Sequence, residues 1–235
     1  AVAPATGTAY SANKISSNVT KLGFKGSEDL GDGLSAIWQI ESQIDGDNGT
    51  GTLGSRNTFV GLSDKAMGTV LLGKHDTPYK MSTRGMDVFG DSIADNRSLM
   101  GGASFSTTKM FSAGASFDGR QGNVLAYISP DMSGLTVIAA YVAGAEDATA
   151  GTANKGSAIS MSAGYKMDAL NVVAAYESHT MGDLGSGSVA VPAGAPAALS
   201  GLKESAIKLG ASYTMDALTV NAVYERTKDN FGPAV

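Results

Sequence analysis

Apolar and polar residues alternate one for one over long runs of the chain, the period of a β-strand whose two faces meet different surroundings. Leu218, Val220, Ala222 and Tyr224 share one face of such a run, and Thr219, Asn221 and Glu225 the other, with Val223 as an exception. Ile207, Leu209, Ala211 and Tyr213 oppose Lys208, Gly210, Ser212 and Thr214 in the same way. Leu170, Val172, Ala174 and Tyr176 oppose Asn171 and Glu177; Ile159, Met161, Ala163 and Tyr165 oppose Ser160, Ser162 and Lys166. With their flanking Gly, Asp, Asn and Ser, these patterns predict ten strands, at 18–27, 34–44, 56–63, 68–75, 123–129, 135–143, 157–167, 169–178, 204–215 and 217–226. No stretch reaches the roughly 18 consecutive apolar residues of a membrane helix, which excludes a helical membrane protein.

The connections carry as much information as the strands. Short turns are predicted at Glu28–Gly33, Asp64–Met67, Pro130–Gly134, Asp168 and Asp216, and long polar loops at 45–55, 76–122, 144–156 and 179–203. Short and long alternate without exception, as in a barrel with turns on one membrane side and loops on the other. The hairpins also repeat: AGYKMDALNVVAAYE (163–177) aligns with ASYTMDALTVNAVYE (211–225), and AYISPDMSGLTVIAAY (126–141) is a looser copy.

A soluble sandwich with a dry interior and a barrel with lipid outside and water inside both accept one apolar and one polar face. The tyrosines favour the barrel. Tyr127, Tyr165 and Tyr213 fall just before short turns, and Tyr141, Tyr176 and Tyr224 at the far ends of the returning strands, all on apolar faces. Aromatic residues at both edges of an apolar band are the expected interfacial girdles. Trp38 joins them on the apolar face of the second strand. The expected fold is therefore all-β, a transmembrane antiparallel up-and-down β-barrel.

Composition narrows the chemistry. The chain has no Cys, which removes disulfides, thiolate metal sites and Cys nucleophiles. A net charge of −5 argues against a nucleic-acid partner. The opening AVAPATGTAYSAN has no basic segment followed by an apolar one and reads as a polar loop, any export signal having been removed. His75 and His179 belong to no metalloprotease-like pattern and read as loop residues. The segment Asp45–Gly49 lacks the spacing and closing Glu of a calcium loop. Phosphate-loop and dinucleotide fingerprints are missing, so no enzyme, cofactor or metal is expected.

Three segments carry a family resemblance. TKLGFKGSEDLGDGLSAIWQIES (20–42) resembles the second hairpin of Gram-negative general-diffusion porins, especially the β-proteobacterial type. RNTFVGLSDKAMGTVLLGKHDTPYK (56–80) is similar to the next hairpin and the start of the loop that follows, and NVLAYISPDMSGLTVIAAYVAG (123–144) to the hairpin after that loop. The resemblance implies a sixteen-stranded barrel in the bacterial outer membrane, surrounded by bilayer and lipopolysaccharide, assembled as a homotrimer, with its third extracellular loop folded into the pore. Residues 1–235 then form one porin barrel domain with 76–122 as the inward loop. No clear first strand precedes the ten, and Asn230–Val235 lacks the family's final strand with its terminal aromatic. The chain is expected to be part of a longer barrel, a smaller closed barrel being the alternative.

Candidate pore residues follow. The family carries acids on the inward loop, which points to Asp87, Asp91 and Asp95 in MDVFGDSIAD. Parity supplies the facing bases. Leu22 and Phe24 toward lipid put Lys21 and Lys25 toward the lumen, and Phe59 toward lipid puts Arg56 inward, because a charge facing lipid at mid-depth costs ~2–4 kcal/mol. Lys74 sits where strand becomes loop. Arg84 and Arg97 either add to the basic wall or pair with the loop acids. The expected function is passive diffusion of small hydrophilic solutes and ions with a mild anion preference. The alternatives are an outer-membrane structural or adhesive barrel with a plugged lumen and partner-binding loops, and a soluble all-β binding module.

Overall fold

Two-residue turns with left-handed residues join the hairpins. Asp168 and Asp216 have φ of 47° and 48°, and the pair Asp32–Gly33 has φ of 51° and 87°. Such turns match the right-handed twist of the strands they connect. Asp64 and Asp131 hold the longer turns by accepting backbone N–H bonds, from Ala66 and Met67 and from Gly134. A computed structural model describes residues 17, 19–47, 49–92, 94–100, 117–144, 156–180 and 203–228. The segments 1–13 and 230–235, and most of the loops predicted at 144–156 and 179–203, lie outside the described residues.

The strands are β1 (Lys21–Gly31), β2 (Leu34–Asp45), β3 (Thr50–Gly51), β4 (Thr58–Asp64), β5 (Gly68–Asp76), β6 (Arg120–Ile128), β7 (Leu135–Ala143), β8 (Ser157–Met167), β9 (Leu170–Thr180), β10 (Lys203–Met215) and β11 (Leu218–Lys228). They form one antiparallel meander in which every long strand pairs with its sequence neighbours, and β3 pairs only with the end of β2. Among the described residues β1 and β11 are the two edges. Ten long strands were expected, and ten are found among the described residues. The first turn is shorter than expected: β1 runs through Glu28 and Asp29, which pair with Ala36 and Ser35, and a register shift between Asp29 and Gly31 absorbs the irregularity.

Pairing carries each face across the sheet. One row runs Lys25, Gln39, Phe59, Gly73, Val124, Val142, Ala158, His179, Glu204. The opposite face carries Gly26, Trp38, Val60, Leu72, Leu125, Tyr141 and Ile159. That second face is exposed and apolar, with Val60 60%, Leu72 54% and Leu209 50% accessible, whereas Val124, Val142 and Ala158 are buried. Phe59 therefore faces inward, contrary to expectation. Its ring packs edge-on against His75 at 5.3 Å, and the lipid-side residues of β4 are Val60 and Leu62. An aromatic next to a strand end misled the parity count by one residue, which flips a side chain to the other face.

The outer band on β10 runs from Ile207 to Met215, about 26 Å along the strand at ~3.3 Å per residue, which tilt reduces toward the ~25 Å apolar height of an outer-membrane barrel. The six tyrosines expected in the girdles, Tyr127, Tyr141, Tyr165, Tyr176, Tyr213 and Tyr224, and Trp38 are on this exposed face. Their two rows are closer than distances from the turns suggested. Tyr213 pairs with Val220 and Tyr224 with Leu209, so the rows are four pairs apart, with Met215 and Leu218 beyond them on the turn side. Tyr127 spans the gap with its hydroxyl, which donates to the Met67 carbonyl at 2.9 Å in the turn.

Candidate functional site

After β5 the chain turns onto the inner face of β8–β11. Thr77 caps a short helix, α1 (Pro78–Ser82), its hydroxyl accepting from the Lys80 N–H, with Pro78 where a helix tolerates it best. Asp76, just before, binds Lys80 at 2.8 Å and Arg120 of β6 at 2.9 Å, fixing where the segment leaves the wall. Tyr79 is wholly buried; its N–H donates to Ser160 Oγ at 3.0 Å and its hydroxyl to Glu225 Oε1. Burial and the Glu225 carboxylate push the Tyr79 phenol far above its ordinary range. A 3₁₀ turn, Arg84–Met86, then reaches β10, where a Cβ on Gly210 would come within 2.7 Å of Met86 Sδ and 2.9 Å of Thr83 Cγ2. The small wall residues Ser160, Ser162, Ala175, Ala206 and Gly210 thus leave the space that the segment fills.

The returning arm arrives on the same wall. Phe117 is buried and stacks on His179, centroids 4.5 Å apart and planes at 21°. Asp118 binds Lys208 at 2.8 Å. His179 is buried between two carboxylates, Glu204 Oε1 at 2.7 Å and Glu177 Oε1 at 2.9 Å. Neither histidine is a loop residue: His75 lies near the end of β5 and His179 near the end of β9, both buried. Among the described residues no group of His, Asp and Glu is placed to hold a metal ion.

The three loop acids have unequal surroundings. Asp95 is buried and accepts from Arg84 and Arg97, at 3.2 Å and 2.6 Å to Oδ2, and from the N–H of Asp91 and Arg97. Burial alone would raise its carboxyl, but the Arg97, Asp91 and Arg84 hydrogen bonds outweigh it and hold it below the usual carboxylate range. Asp87 accepts from the N–H of Phe89 and Asn96, its side chain 5% exposed. Asp91 is the exposed one; both arginines reach its Oδ1 at 3.1 Å. Arg84 and Arg97 therefore pair with the loop acids.

Of the proposed bases, Lys21 and Lys25 share the inner face with Gln39 and Glu41 and line an open cavity of about 340 Å³ with them. Arg56 binds Glu41 at 2.9 Å on that same face. Lys74 pairs with Thr58, and alternation puts both with Val60 and Leu72, away from the other three. The structure does not gather all four into one cluster.

This architecture has relatives. The family profile described as Gram-negative porin matches residues 3–234. The chain belongs to that family. It is 39% identical over 89 residues to the major outer membrane protein P.IA of Neisseria meningitidis, a match covering 37% of this chain and 22% of that protein. It is 28% identical over 142 residues to an outer membrane porin protein of Bordetella pertussis, covering 59% of this chain and 34% of that one. An anion-selective porin from Comamonas acidovorans superposes with a TM-score of 0.68 at 25% identity, over 89% of this chain and 57% of that one. Salmonella typhi OmpF shares the fold at a TM-score of 0.61. The chain thus spans little more than half of the Comamonas porin. A member of this family with a lipid-height apolar band is a protein of the bacterial outer membrane.

The wall residues that receive the inward segment of this porin were not singled out from sequence. Lys208, Glu177 and Glu225 were legible as polar-face residues, but the partners Tyr79, Phe117 and Asp118 are too distant in sequence for periodicity to join them. The one available signal was the run of small residues on the polar faces of β8–β10.

Proposed function

We propose that the protein forms a passive channel for small hydrophilic solutes and ions across the outer membrane, as one barrel domain that assembles into a homotrimer, without enzymatic activity. The observation that carries this reading is the segment after β5, which docks on the inner, polar face of β8–β11 and narrows the space that face bounds. Hydrated lumen walls pass polar solutes, and the docked segment sets their size limit. Of the loop acids, Asp91 is the one presented to the lumen, with Arg84 and Arg97 beside it; Asp87 and Asp95 hold the loop's shape. Lys21 and Lys25, with Arg56 tied to Glu41, form the basic wall, and Lys74 drops out of it. A mild anion preference follows from that wall, and the likeness to a porin named for anion selectivity supports it.

Planar-bilayer recording of the full-length protein tests the reading. Stepwise openings, grouped in threes, are expected. A protein that inserts but never conducts would leave a plugged barrel in place of a channel.

A further inference from the structure

Both arms of the inward segment meet at one buried lysine. Lys208 is 2% exposed. Its ammonium binds Asp118 Oδ1 of the returning arm at 2.8 Å and lies 4.2 Å from the centroid of the Tyr79 ring on the leading arm. Glu225 Oε1 of β11, which also accepts the Tyr79 hydroxyl, is 3.8 Å away. We propose that Lys208 is a positioning residue, a clasp on the barrel wall that holds both ends of the constriction segment and so sets the bore of the channel.

The charge balance makes the clasp more than one contact among many. Asp118, Glu225, Glu177 and Glu204 are carboxylates gathered behind the segment, and among the described residues Lys208 and His179 form ion pairs with them. His179 is engaged by Glu177 and Glu204, on β9 and β10. Lys208 alone of the two joins wall to segment by an ion pair. Without Lys208, Asp118 gives up its 2.8 Å contact with the wall and the Tyr79 ring its cation, so both arms of the segment are loosened together. The ammonium's ion pair with the wall, Glu225 Oε1 at 3.8 Å, is longer than its 2.8 Å contact with the segment, so its loss bears first on the segment. Arrest of the segment is thus separable from folding of the sheet.

The inference rests on the channel reading, and its test separates the two. Single-channel conductance is compared for wild type and Lys208→Met in the full-length protein, with heat-modifiable gel mobility as the folding check. A rise of roughly twofold with added open-channel noise is expected, since conductance follows the cross-section of the narrowest point. No conductance in wild type defeats the channel reading; equal conductance in wild type and folded Lys208→Met overturns the clasp. If Lys208→Met does not fold, Asp118→Asn removes the same ion pair from the segment side with its shape kept, and an unchanged conductance there overturns the proposal too. Because the chain has no Cys, Met86→Cys with Gly210→Cys supplies a lone thiol pair at a close approach of segment and wall. In the Lys208→Met background, oxidation of that pair is expected to bring the conductance down to that of the same oxidised Cys pair with Lys208 kept, and reduction to raise it again. A rise that oxidation leaves unchanged would trace to the lost charge itself and would also overturn the clasp.

Discussion

Trp38 and Gly26 face each other across β1 and β2, and the indole lies over the glycine. A Cβ on Gly26 would sit 2.6 Å from the ring. Gly26→Val is expected to displace the ring and cost about 1–3 kcal/mol; the chain has one Trp, so urea unfolding followed by its fluorescence reads the effect directly, together with a red-shifted folded emission. Asp95 gives a pH prediction with a definite sign. Its folded carboxyl is held below the unfolded value of about 3.9, so its contribution to loop stability is complete above that value and is lost only as pH falls through the lower folded one. Protease nicking of the 84–97 loop should stay constant from neutral pH down to about 4, a window to be covered with an acid-tolerant protease. Asp95→Asn should increase nicking at every pH, by weakening bonds worth about 2 kcal/mol each.

A strand of this sheet has to satisfy lipid on one side and a docked loop on the other. On β10 the two demands alternate: Leu209 and Ala211 are exposed outward, while Lys208 and Gly210 are buried under the segment. Adjacent substitutions should then fail in different ways. Leu209→Arg puts a charge against acyl chains near mid-depth and should lower barrel stability by ~2–4 kcal/mol in vesicles, visible as a lower urea midpoint. Gly210→Val should enlarge the conductance and lower that midpoint less than Leu209→Arg, since its side chain meets Met86 and Thr83 of the segment and, on the wall, Val173 of β9. If both variants lose stability equally, the division of β10 into lipid and loop faces is wrong.

The chain is acidic, with a net charge of −5, yet an anion preference is proposed, because selectivity depends on charge at the narrowest section and not on the total. Much of the acid in and around the constriction is neutralised where it stands: Asp95 by two arginines, Glu41 by Arg56, Asp118 by Lys208. Lys21 and Lys25 remain exposed on the inner face. Liposomes containing the protein should therefore swell faster in an anionic sugar such as gluconate than in a cationic one such as glucosamine, with reversal potentials in a salt gradient of matching sign. A cation preference in both measurements would remove the basic-wall assignment.

Period-two alternation, turn residues and the phase of long and short connections determined the meander, its long strands and, outside β4 and the end of β5, which residues face lipid. These are local properties, since a strand's faces and a two-residue turn are settled by neighbours in sequence. Register was the first thing only the tertiary structure decided. It drew the two tyrosine rows together, turned Phe59 inward and moved Lys74 to the lipid parity, because the level of a residue in the membrane depends on its partner strand and not on its distance from a turn. The second was the site itself. The loop acids Asp87 and Asp95 are buried and hydrogen-bonded within the loop, while the wall that receives the loop includes Ser160, His179, Lys208, Gly210 and Glu225. Those contacts join residues as far apart as Tyr79 and Glu225, and they arise only when the meander curls and the segment after β5 folds across it, a non-local event that no periodicity encodes.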